Sequence, residues 1–189
     1  MNDDALLANF VDAFGRNDDL LLSAAAPVAL RDGIDSEVGL FKWRPVRIAT
    51  AAAEVDKLYR DIPGPFPALY VRLISSFRWL DVYLTDTVLL LGNPPGPTLT
   101  ALGEAMQADR MLVDLLFPKR LVPFGRAGDT YDPICFDLSG VSRSNDWPIV
   151  QVDHEAILCD DRIGEVWPRY DSFRSLVYEI CSASEAGPT

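Results

Sequence analysis

YDPICFDLSG, residues 131–140, is the middle one of three short strand-like runs in the second half of this chain. LVPFG at 121–125 precedes it and PIVQVDHE at 148–155 follows it, and turn-forming Gly, Asp, Asn and Ser residues separate the runs. Alternate residues of the central run, among them Ile134 and Phe136, fall on one face of such a strand. The three runs therefore predict an antiparallel meander.

Helical periodicity surrounds the meander. Before the meander, apolar residues recur at helical spacing in four segments: 3–14, 51–62, 67–77 and 98–117. The last of these has a phase slip near Asp109, which indicates two helices. After the meander a last helix follows, and Asp171 is its predicted cap. VGLFKWRPVRI at 38–48, WLDVYL and TVLLLG are typical of further strands. Because the strands cluster rather than alternate with helices, we expect a single α+β domain, with a largely antiparallel twisted sheet and helices packed mainly on one face.

The composition is that of a folded domain, because 49% of the 189 residues are hydrophobic and 24% are charged. No apolar run approaches the roughly 20 residues that cross a bilayer, and the chain opens with acidic residues where a secretory signal carries basic ones. We therefore expect no membrane association and a cytoplasmic location. The three cysteines lack CxxC spacing, which favours buried reduced thiols over disulfides or a zinc site.

The net charge of −11 is concentrated in the last third of the chain. Residues 129–189 hold 12 acidic against four basic side chains, so about −8 of the charge lies there. Such a surface repels nucleic acid, whose affinity for proteins comes mainly from cations that displace counterions. A basic protein partner would be attracted instead.

Acidic residues and the single histidine make a catalytic site worth testing. A metal-dependent hydrolase would use Asp137, Asp153, His154 and Glu155, although position 158 is Leu where a zinc-protease helix carries its second His. Cys135 with His154 is the one nucleophile and base pair. The chain has no GxGxxG and no GxxxxGK motif, so we expect no nucleotide cofactor.

The alternative interpretation of the same residues is structural. His154 and Glu155 would mark the end of the third strand, with His154 hydrogen-bonded rather than acting as a ligand. Trp147 and Trp167 precede prolines in the acidic third, and tryptophan is enriched at interaction hot spots. These two tryptophans are therefore candidate interface anchors, whereas Trp79 follows an apolar helical stripe and is expected to be buried.

The order of five segments resembles the SUKH superfamily, which includes fungal cell-wall synthesis regulators and many bacterial immunity proteins. These segments are FPALYVRLISSFRW, LLLGNPP, FGRAGDTYDPICFDLSG, DWPIVQVDHE and DSFRSLVYEI. The similarity covers about residues 60–183, and its most specific parts are CFD at 135–137, the PIVQVDHE strand and the DSF helix start. It implies a domain over 51–183, with an N-terminal extension over 1–50 that packs on it and a frayed tail over 184–189.

The resemblance implies a non-enzymatic protein-binding module that neutralises a toxin, often a nuclease. The partner-binding residues would then be the acidic and tryptophan side chains of the last third: Asp129, Asp132, Asp146, Trp147, Asp153, Glu155, Asp160, Asp161 and Trp167. Two alternatives stay open, the metal-dependent hydrolase and a regulatory scaffold with several partners. Stoichiometric Mn or Mg binding would favour the hydrolase, and a single tight basic partner would favour the immunity protein.

Overall fold

The computed structural model describes residues 2–14, 21–35, 37, 39–85, 87–140 and 144–185. Within these ranges the helices are α1 Asp3–Phe14, α2 Ala52–Asp61, α3 Ala68–Ser76, α4 Thr100–Met106, α5 Arg110–Leu116, α6 His154–Asp160 and α7 Phe173–Glu185. The strands are β1 Leu22–Ser23, β2 Arg31–Ile34, β3 Phe41–Trp43, β4 Val46–Arg47, β5 Phe77–Arg78, β6 Val82–Thr85, β7 Val88–Leu90, β8 Leu121–Ala127, β9 Pro133–Asp137, β10 Ile149–Val152 and β11 Val166–Tyr170. The prediction of a single α+β domain is confirmed.

The principal sheet has six strands in the order β11-β10-β9-β8-β7-β6. Every neighbouring pair is antiparallel, so the predicted three-strand meander is the centre of a longer one. Smaller sheets join β1, β3 and β2, and β4 with β5. The two helices predicted around Asp109 form as α4 and α5, and the Asp109 side chain accepts a hydrogen bond from Leu112 N at 3.2 Å at the start of α5.

The sheet is strongly curled. Arg169 on β11 donates from Nη2 to Thr87 Oγ1, which lies between β6 and β7, at 3.0 Å. In a flat sheet β11 and β7 would be roughly 19 Å apart, because neighbouring strands are spaced by about 4.8 Å. One arginine side chain does not reach that far, so the two edges of the sheet approach each other.

The main hydrophobic core lies between one face of the sheet and the helices α1, α3 and α7. Stacked or edge-to-face rings of Tyr70, Phe124, Phe136 and Phe173 form its centre, and Trp79 is buried as expected. Phe10 of α1 packs edge-to-face on Phe173. The first helix is therefore part of the same core as the strands that follow residue 51.

A smaller core lies on the other face of the sheet, beneath α5 and α6. Its buried members are Leu116, Leu121, Cys135, Val150, Val152 and Ile157. The helices thus lie mainly on one face, and the second face carries this additional layer, which positions the residues described next. No helix in the described ranges is both long enough and apolar enough to cross a membrane.

Candidate functional site

The segment that carries the histidine is a helix start and not the end of a strand. β10 ends at Val152, and Asp153 Oδ1 accepts hydrogen bonds from Glu155 N at 3.0 Å and Ala156 N at 3.3 Å. An aspartate in this position satisfies the free N–H groups of a first helical turn. The prediction that His154 and Glu155 close the strand is therefore wrong, because the Asp153 cap turns the chain into α6 one residue earlier.

The centre of the site is a pair formed by the buried Asp132 and the half-buried His154. Asp132 Oδ1 accepts hydrogen bonds from His154 Nδ1 at 2.6 Å and from the His154 backbone N–H at 3.0 Å. Asp132 Oδ2 accepts from Gln151 Nε2 at 2.6 Å and from Thr130 Oγ1 at 2.7 Å. Asp132 is only 5% exposed, and four donors satisfy its two carboxylate oxygens.

These hydrogen bonds also keep Asp132 ionised and select the tautomer of His154. Burial by itself raises the pKa of Asp132, but the donated hydrogen bonds, led by those from His154, outweigh it and hold that pKa below the usual carboxyl value. An ionised Asp132 can only accept hydrogen bonds, so a neutral imidazole that donates to it carries its hydrogen on Nδ1 and has a lone pair on Nε2. The pair therefore fixes both the orientation and the tautomer of His154.

A cavity of about 100 Å³ lies beside this histidine, between β8 and the helices α4 and α5. Its wall is mostly apolar and includes Leu91, Met106 and Val113. Four groups at the cavity can form hydrogen bonds or ion pairs: Asp109, Arg126, Tyr131 and His154. Tyr131 is 68% exposed and has a φ of 63°, a left-handed backbone that tyrosine seldom adopts.

A second feature extends from α6 to the edge strand β11, and we call it the α6–β11 surface. It consists of three exposed apolar residues and four exposed acidic ones: Leu158, Val166, Trp167, Glu155, Asp160, Asp161 and Glu165. Trp167 is 39% exposed. Because successive strand residues point to opposite faces, Val166 and Trp167 present apolar groups on both sides of the sheet edge.

The remaining predicted partner-binding residues have different positions. Asp129 is exposed in the turn between β8 and β9. Trp147 is only 7% exposed and belongs to the main core, so it is not a surface anchor as predicted, and the buried Asp132 is likewise not a surface acid. Asp146 accepts hydrogen bonds from Phe173 N at 3.1 Å and Arg174 N at 3.2 Å.

Those two hydrogen bonds correct the predicted start of α7. Asp171 is not its cap: Ser172 Oγ accepts from Ser175 N at 3.0 Å, and Asp146, which is 27 residues before Phe173 in the chain, supplies the other acceptor. The local sequence contained a plausible cap, but the acceptor that the fold uses comes from the loop before β10.

The four residues of the hydrolase alternative do not converge. Asp137 is at the far end of β9 from Asp132 and His154, and the chain between Asp132 and Asp137 spans roughly 17 Å at about 3.4 Å per residue. Asp153 is occupied as the α6 cap. Among the residues that the structure describes, no three His, Cys, Asp or Glu side chains are grouped so as to hold a metal ion.

The Cys135 and His154 pair does not form either. Cys135 lies in the smaller core, where burial and the nearby charge of Asp137 raise the pKa of its thiol. His154 Nδ1 is bound to Asp132 instead. Cys135 and Cys181 are buried as expected, but Cys159 is exposed on α6, so the prediction of three buried thiols is wrong for that residue.

Three features of the site were not predicted from the sequence: the cavity, the exposed Leu158 and the position of Arg126 at the cavity. Arg126 follows the apolar run LVPFG in β8. A charged residue in a strand that is otherwise apolar was the sequence feature that could have predicted a polar site next to the sheet. The cavity depends on how α4 and α5 pack, which local sequence does not specify.

Comparison with known proteins gives no further guidance, since no family model, no curated protein and no solved structure matches this chain. The resemblance to the SUKH superfamily therefore rests on the quoted segments and their order.

Proposed function

We propose that this chain is a non-enzymatic protein-binding module of the immunity type, which binds one basic toxin protein through the α6–β11 surface. The observation that carries the proposal is the composition of that surface: exposed apolar side chains bordered by carboxylates. Protein interfaces combine an apolar, aromatic-rich centre with a polar rim. The resemblance to the SUKH superfamily supplies the functional class, and its α+β sheet fold is consistent with the six-stranded meander.

The charges of this surface favour a cationic partner. Between Glu155 and Trp167 there are four acidic side chains and one basic one, Arg162, whose Nη2 lies 3.0 Å from Asp160 Oδ2. That ion pair is exposed, and exposed pairs contribute only about 0–1 kcal/mol. A partner's lysine or arginine can therefore replace Arg162 at little cost.

The edge strand favours recognition through side chains rather than through strand addition. Pro168 lies within β11 and has no backbone N–H, so this edge lacks one of the donors that an added strand would use. Val166 and Trp167 remain available on both sides of the same edge. Trp167 is the anchor that we expect to determine the lifetime of a complex, since buried aromatic anchors dominate interface energetics.

The first experiment is capture of binding proteins from the native organism with the tagged chain, at low and at high salt, followed by identification by mass spectrometry. We expect one basic protein that is retained at high salt. That protein is then expressed in a host cell with and without this chain. Growth inhibition that the chain relieves would support the immunity function.

Two results would contradict the proposal. Several weakly bound proteins that are all lost at high salt would favour a regulatory scaffold with many partners. A tightly bound protein whose toxicity the chain does not relieve would agree with a protein-binding module but would contradict the immunity function.

Trp167→Ala is the variant to test beside the natural chain. Its matched control is Tyr83→Ala, because Tyr83 is an exposed aromatic residue on β6.

A further inference from the structure

The cavity beside His154 has the features of a small-molecule site that the proposed partner binding does not use. Its volume of about 100 Å³ leaves room for about three groups of the size of a water molecule or a methyl group, at roughly 30 Å³ each. Leu91, Met106 and Val113 make much of its wall apolar. A short branched aliphatic group fits this size and chemistry.

One polar group at the cavity is a cation that lacks an anion. Arg126 is half-buried on β8, and it makes no ion pair with any residue in the described ranges. In a chain with a net charge of −11 an unpaired, half-buried arginine at a cavity is notable. A ligand carboxylate would pair with its guanidinium, which binds carboxylates with two parallel hydrogen bonds.

The second polar group is an oriented acceptor. The buried Asp132 holds His154 Nδ1 at 2.6 Å, which leaves Nε2 as the ring nitrogen that can face a ligand. In the neutral tautomer this nitrogen accepts a hydrogen bond. Asp109 adds a carboxylate at the same cavity. Its Oδ1 atom accepts a hydrogen bond from Leu112 N.

We propose that this cavity binds a small aliphatic carboxylic acid that carries a hydrogen-bond donor on its α-carbon. The carboxylate pairs with Arg126, the α-substituent donates to His154 Nε2, and the branched carbon chain occupies the apolar wall. An α-ammonium group also interacts with Asp109, whereas an α-hydroxyl group does so more weakly. Asp132 is a positioning residue that acts through His154. This proposal does not depend on the identity of any protein partner.

The single histidine of the chain makes the test direct, because the imidazole signals in an NMR spectrum report one site. The unmodified protein, labelled with ¹⁵N-histidine, is titrated with valine, 2-hydroxyisovalerate, isovalerate and valinamide. Valine and 2-hydroxyisovalerate are expected to give saturable shifts of the His154 signals. Isovalerate lacks the donor and valinamide lacks the carboxylate, so both should bind at least about tenfold more weakly.

The comparison of valine with 2-hydroxyisovalerate separates the α-ammonium donor from the α-hydroxyl donor. Stronger binding of valine would mean that Asp109 contributes to the affinity. Arg126→Gln should weaken valine binding by at least about tenfold, and Arg60→Gln on the exposed side of α2 is its matched control. If Arg126→Gln fails to fold, the comparison of valine with valinamide decides the same point in the natural chain. Absence of a saturable shift with both α-substituted acids, or equal affinity for valinamide, would overturn the proposal.

Discussion

Replacing Asp132 by Asn tests whether the buried pair organises the site. The substitution keeps the shape of the side chain but turns one oxygen into an NH₂ group. If that group replaces Oδ2, it faces the Gln151 Nε2 donor at 2.6 Å, and if it replaces Oδ1, it faces two donors of His154. In either orientation at least one buried or half-buried donor loses its acceptor.

The size of the effect follows from these contacts. A buried polar group without a partner costs about 1–3 kcal/mol, and the remaining hydrogen bonds weaken by about 1 kcal/mol when the acceptor is no longer charged. We therefore expect the free energy of unfolding to fall by about 2–4 kcal/mol. For a domain of this length that lowers Tm by roughly 4–16 °C.

Urea denaturation followed by circular dichroism measures the change, with Asp129→Asn as the control. Asp129 lies in the same turn but is exposed, so its substitution should alter the free energy of unfolding by less than about 0.5 kcal/mol. If Asp132→Asn falls within that same range, the pair does not hold the turn to α6.

Acid should weaken the same contact. The pKa of Asp132 is lowered in the folded protein, so its ionised form stabilises the fold at every pH above the unfolded carboxyl value of 3.8. That contribution is lost as the pH falls below 3.8 towards the folded pKa. The natural chain should therefore lose more stability than Asp132→Asn in this interval, and parallel pH profiles would refute the assignment.

Three further substitutions or reactions test other parts of the structure. Tyr70→Phe should raise the free energy of unfolding by about 1 kcal/mol in urea denaturation, because the buried Tyr70 hydroxyl has no hydrogen-bond partner among the residues that the structure describes. A loss above about 1 kcal/mol would contradict this. Gly164→Ala should lower the free energy of unfolding by about 1–3 kcal/mol, since a β-carbon there would lie 2.5 Å from a methyl group of α6. A β-carbon at Gly140 would meet no described atom within 4 Å, so Gly140→Ala should be neutral. In a thiol-labelling time course Cys159 should react in the folded protein and Cys135 only after unfolding, and equal rates would place Cys135 at the surface.

Much of the fold was predictable because its signals are local. The apolar stripes that predict α1, α2 and α3 depend on spacing within one segment, and the Asp109 phase slip correctly divided α4 from α5. The strands around Phe136 alternate clearly enough to give the meander. The edge strand β11 was missed because VWPRY is short, exposed and interrupted by a proline.

The site was less predictable because its contacts are distant in sequence. Asp132 and His154 are 22 residues apart, and only the antiparallel pairing of β9 with β10 brings them together. Asp146 likewise accepts a hydrogen bond from a residue that is distant in sequence, Phe173 at the start of α7. Trp147 belongs to the core although its local sequence is typical of a turn, because the fold packs this side chain, two residues before β10, against the main core.

The most direct test of the proposed partner binding is the association rate constant of the captured basic protein, measured by surface plasmon resonance at several salt concentrations. The variant to compare with the natural chain is Asp160→Asn with Asp161→Asn, because Asp161 has a φ of 51° and asparagine tolerates that conformation. Asp56→Asn with Asp61→Asn, two exposed acids of α2, is the matched control.

We expect the first double variant to slow association by about 3–10-fold at low salt, with a smaller effect at high salt, while the control stays close to the natural chain. Equal slowing in both variants would mean that only net charge attracts the partner. Unchanged association in the Asp160 and Asp161 variant would contradict binding through the α6–β11 surface.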